Sequence, residues 1–83
     1  MLSAREVQSL LSKLCIDLGF CLPPDAQAHL EQSPPSNVAG FTDEVFTAEG
    51  LDPSTADRHL YRQVKALIAD AFRRSEEQRK NDA

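Results

Sequence analysis

The sequence predicts an all-α bundle of three main helices, at about 4–18, 37–49 and 53–74, and one short helix at about 24–32. Three observations support this. Apolar residues recur at three- and four-residue steps, the period of a helix with one buried face. Proline pairs at 23–24 and 34–35 and glycines at 19 and 50 stand where those apolar stripes end. No segment alternates apolar with polar residues over strand length.

The first helix is marked at both ends. Ser3 and Glu6 have the spacing of a capping box, and Leu2 and Val7 that of a hydrophobic staple across it. Val7, Leu10, Leu11, Leu14, Cys15 and Leu18 then form one stripe. Gly19 is placed to end the helix in a left-handed conformation, with Phe20 folding back on Leu14 or Cys15. Pro23-Pro24-Asp25 can open the short helix, because proline is tolerated in a first turn. Leu30 is the only large apolar residue in its body, and Pro34-Pro35 stops it.

Ser36 or Asn37 can cap the third helix, whose inner face is Val38, Phe41, Thr42, Val45 and Phe46. Gly40 within it costs about 1 kcal/mol against alanine and suggests a close helix approach. Gly50 and Leu51 repeat the stop device of Gly19 and Phe20. Asp52-Pro53 reads as the start of the last helix, an acidic cap before a first-turn proline. Its stripe is Ala56, Leu60, Val64, Leu67, Ile68, Ala71 and Phe72. Residues 1–74 therefore read as one domain and 75–83 as a charged, fraying or disordered tail.

Composition bounds the function. Apolar residues at 41% and charged residues at 27% place the chain in the globular range. Residues 1–51 hold two cations against seven carboxylates, a net −5, and residues 52–83 hold seven against six, a net +1. The overall −4 disfavours nucleic acid and anionic membranes as partners. No basic segment leads into an apolar run near the start, and no stretch approaches the roughly 18 apolar residues of a membrane span. Cytoplasm is the expected location. The short chain leaves room for a homo-oligomer.

Candidate chemistry is sparse. Cys15, Cys21, His29 and His59 form no recognised metal-ligand spacing, so two reduced thiols, two surface histidines and no metal or cofactor are expected. A nucleophile at Cys21 with His29 or His59 as base is the enzymatic alternative, but acidic neighbours Asp17 and Asp25 disfavour a thiolate there. Adjacent Asp43 and Glu44 point about 100° apart on a helix and make no facing dyad.

Arg58, Arg62, Lys65 and Arg73 share one side of the last helix, with Ala69 between them. Such a row suits an acidic protein surface, or phosphates if the partner is nucleic acid. Ile16 projects opposite the first stripe and Tyr61 sits at the edge of the last, so the two, with Leu22, are candidates for an apolar contact patch.

The run Leu14 to Asp25, containing Leu-Gly-Phe-Cys-Leu-Pro-Pro-Asp, and the later Val38–Phe46 segment resemble the back half of acyl carrier proteins. There, a helix leads through a similar proline-containing loop to two further helices. The family's Asp-Ser-Leu attachment site is absent, with Met1-Leu2-Ser3-Ala4 in its place, so the resemblance assigns no carrier residue. The resulting expectation is a small, acidic, non-enzymatic module that binds another protein in an inhibitor, immunity-type or adaptor role.

Overall fold

The computed structural model describes residues 2–81 and contains four helices: α1 (Ala4–Leu18), α2 (Pro24–Gln32), α3 (Val38–Ala48) and α4 (Arg58–Asn81). No strand occurs among the described residues. The radius of gyration, 12.3 Å, is close to the ~12 Å of a compact chain of this length. α1 packs on α2 and α4, and α3 packs on α4. Their inward stripes close over Val7, Leu10, Leu11, Leu14, Phe41, Val45, Phe46, Val64 and Ile68.

α1 starts and ends as its residues dictate. The Ser3 hydroxyl accepts from the Glu6 amide at 3.2 Å, while the Ser3 amide donates to the Glu6 carboxylate at 2.9 Å. Leu2 and Val7, across that cap, are both buried. Gly19 adopts φ 68°, where a side chain would be strained, and ends the helix. Its amide donates to the Cys15 carbonyl at 3.0 Å and that of Phe20 to the Leu14 carbonyl at 3.1 Å.

The cysteines correct the sequence reading. Two reduced thiols were expected, but Cys15 and Cys21 form a disulfide, their Cα atoms 4.3 Å apart. The left-handed turn at Gly19 is the physical reason. It folds the chain back on the last turn of α1, and burial of Phe20 and Leu22 fixes Cys21 between them. Closing such a short loop contributes roughly 2 kcal/mol in the chain-entropy model. While the bond stands, Cys21 has no thiol to offer His29 or His59, both of which are exposed.

α2 begins at Pro24 without a side-chain cap and is braced by the Gln27 side-chain amide, which donates to the Leu22 carbonyl at 2.7 Å. Leu30 is its single buried residue. At the start of α3 the Asn37 side chain accepts from the Gly40 amide at 2.7 Å. A Cβ on Gly40 would lie 3.1 Å from that same Asn37 oxygen. The glycine therefore makes room for the cap, not for a neighbouring helix as the sequence suggested. At the other end, the Leu51 amide donates to the Phe46 carbonyl and that of Gly50 to Thr47, each at 2.9 Å. The backbone half of the stop signal forms, while the Leu51 side chain stays 42% exposed.

The bounds of the last helix also differ from those predicted. Asp52-Pro53 does not start it. Asp52 instead closes a local turn, accepting from the Ser54 amide at 2.9 Å and hydroxyl at 2.7 Å. Asp57 takes the cap, accepting from the amides of His59 at 2.8 Å and Leu60 at 3.2 Å. Two acidic caps five residues apart compete, and the second leads directly into the apolar stripe. The helix then runs past 74 to Asn81, with Ser75 buried. The Arg, Glu, Gln and Lys that fill this segment propagate a helix without an apolar anchor. Residues 82–83 of the expected tail lie outside the described residues.

Candidate partner-binding faces

α4 carries the basic row because residues at three- and four-step spacing share one side of a helix. Arg58, Arg62 and Lys65 are exposed and have no ion-pair partner among the described residues. Arg73 is exposed too but is engaged on its own helix. It pairs with Asp70, which also forms an ion pair with Arg74 Nε at 3.0 Å. One half-buried carboxylate thus holds two guanidinium groups at i,i+3 and i,i+4. This separates Arg73 from the other three cations.

Arg58 differs from its neighbours in setting. It borders a shallow cavity with Asp43, Asp52, Ser54, Ala56 and Tyr61, so two carboxylates temper its field. The Ser54 hydroxyl and amide hold the Asp52 carboxyl below its ordinary range. Arg62 and Lys65 lie one and two turns further along and do not line that cavity. Within the row, only Arg58 shares that cavity with the two carboxylates.

Tyr61 is committed to the fold. Its hydroxyl donates to the Asp43 carboxylate at 2.8 Å, bridging α4 to α3. Its ring lies 5.3 Å from that of Phe46, centroid to centroid, and Phe46 lies 5.0 Å from Phe20. The hydrogen bond to Asp43, with desolvation and the carboxylate's charge behind it, raises the phenol above its ordinary value. A raised phenol keeps its proton after the unfolded chain has lost its own. The contribution is intact below about pH 10 and falls as pH rises from there. The chain has one tyrosine and no tryptophan, so alkaline absorbance reads this group alone. The midpoint is expected above that of a free phenol, and Asp43→Asn should bring it down. An unmoved midpoint in the variant would remove the bridge as the cause.

Ile16 is 78% exposed on the outer face of α1. Leu22 is buried at 6% and Tyr61 is half-buried, so the three do not form one apolar patch. One turn before Ile16, Lys13 lines a groove of about 200 Å³ between α1 and α4, floored by Leu10, Leu67 and Ala71. Asp70 and Arg74 border the same groove.

Sequence reasoning missed the Asp70 clamp and the Tyr61–Asp43 bridge. The first was signalled by spacing alone; the second joins residues 18 apart and had no local signal. Among the described residues no group of three or more His, Cys, Asp and Glu side chains could hold a metal ion. None of the described helices is long and apolar enough to cross a membrane. Compared with protein-family models, curated proteins and solved structures, the chain matches none.

Proposed function

We propose that this chain is a small non-enzymatic protein-binding module, in an inhibitor, immunity-type or adaptor role, that docks an acidic surface of another protein through α4. Arg58, Arg62 and Lys65 carry the reading: three exposed cations in one row, without ion-pair partners among the described residues, on a chain of net charge −4. A protein that only needed solvation of this face would gain as much from pairing them, as Asp70 pairs Arg73 and Arg74. α1, α3 and α4 serve as the principal helices of the scaffold, with α2 as its short fourth element. The cytoplasm is the proposed address, and there the Cys15–Cys21 bond meets a reducing thiol pool.

The test is capture from the native host by wild-type protein and by a triple variant, Arg58→Glu, Arg62→Glu, Lys65→Glu. The same partner should be retained by the first and lost by the second, with helical circular dichroism equal in both. Equal retention by both would sink the proposal. Nucleic acid is the second reading, because the same row could meet phosphates. Three contacts would give a salt slope of only about −3. Micromolar, salt-dependent binding of labelled duplex, abolished in the triple variant, would favour that reading over the first.

A further inference from the structure

We propose that Cys21 is the entry point of a thiol–disulfide exchange site, and that the Cys15–Cys21 bond is a reversible clasp which the fold survives losing. The inference stands apart from the docking row on α4.

The geometry gives the site a direction. Cys21 is exposed, while Cys15 is half-buried in the last turn of α1. A low-molecular-weight thiol of the glutathione class therefore reaches the Cys21 sulfur first. Its thiolate attacks there and the S–S bond breaks. The electron pair leaves on the Cys15 sulfur, which takes a proton from solvent. A second small thiol attacks the small-molecule sulfur of the mixed disulfide. That step releases the small disulfide and leaves Cys21 to take up a proton in turn. Two small thiols are oxidised and the protein pair is reduced by two electrons.

Other contacts hold the same turn and do not depend on the sulfurs. Phe20 and Leu22, on either side of Cys21, are buried at 5% and 6% exposure. The Phe20 ring rests 5.0 Å from Phe46. Gly19 and Phe20 return their amides to the carbonyls of Cys15 and Leu14 at 3.0 and 3.1 Å. The Leu22 carbonyl is held at 2.7 Å by the Gln27 side chain. An opened pair therefore stays side by side and can close again. A sulfur pair that alone held its turn would be lost on first reduction.

Reduced and oxidised glutathione are the probes. In wild type, reduced glutathione should open the bond with the helical circular dichroism retained and the melting point lowered by roughly 10–15 °C. Oxidised glutathione should close it again. In single variants, Cys21 of Cys15→Ser should form the mixed disulfide about ten times faster than Cys15 of Cys21→Ser, read by mass spectrometry. Three outcomes would each overturn the proposal. These are loss of helical signal on reduction of wild type, failure of glutathione to open the bond, and equal reactivity of the two single variants. The wild-type arm keeps the test decisive even where a serine variant folds poorly.

Discussion

Phe46→Ala should lower the unfolding free energy by about 3–5 kcal/mol, the range for deleting a fully buried aromatic. A chain of this length has roughly 4–12 kcal/mol in total, so the variant is expected to be largely unfolded at moderate urea. The expectation is large because of what Phe46 joins. It is fully buried on α3, its ring touches Phe20 from the turn after α1, and it touches Tyr61 from α4. Removing it opens a cavity bordered by three separate elements, none of which can collapse into it without moving off another partner. Urea denaturation followed by circular dichroism measures the effect. Leu51→Ala, at a 42% exposed position, is the control and should change stability by less than about 0.5 kcal/mol. A loss below about 1 kcal/mol for Phe46→Ala would mean that this ring does not join the three elements.

The second large effect is local. α2 has one buried residue, Leu30, at 2% exposure, and packs chiefly on α1. Leu30→Ala should cost about 2–5 kcal/mol. The loss should be uneven, because the α1–α4 and α3–α4 contacts do not pass through Leu30. Hydrogen exchange should show α2 amides losing protection first, with the amides of α1 and α3 still slow. Equal loss of protection in all four helices would show instead that α2 has no stability separate from the rest of the core.

What the sequence made legible was whatever is decided within one turn of the chain. Ser3 with Glu6, Gly19, Pro24 and Asn37 each satisfy or break a nearby backbone hydrogen bond, so α1, α2 and α3 fall where those residues put them. The start of α4 was misread because Asp52 and Asp57 are both valid local caps, and only packing of the apolar stripe chooses between them. The disulfide was missed for a related reason. Counting cysteines argued for free thiols, whereas a left-handed residue between positions 15 and 21 brings them together. For the basic row, periodicity put Arg58, Arg62 and Lys65 on one side of α4, where all three are exposed. It did not show that Asp70 takes Arg73 out of the row, or that Phe46 and Asp43 engage Tyr61.

The covalent bond between residues 15 and 21 also limits how two copies could ever combine. Exchange of α1 between protomers is a common low-cost route to an intertwined dimer, and it requires the joint after the exchanged helix to straighten. Even as one continuous helix, residues 15 and 21 would stand about 10 Å apart, beyond the roughly 7 Å that a disulfide spans, and a stretched linker would part them further. With the sulfurs joined, the joint after α1 cannot open out, and the amino-terminal helix stays with its own body.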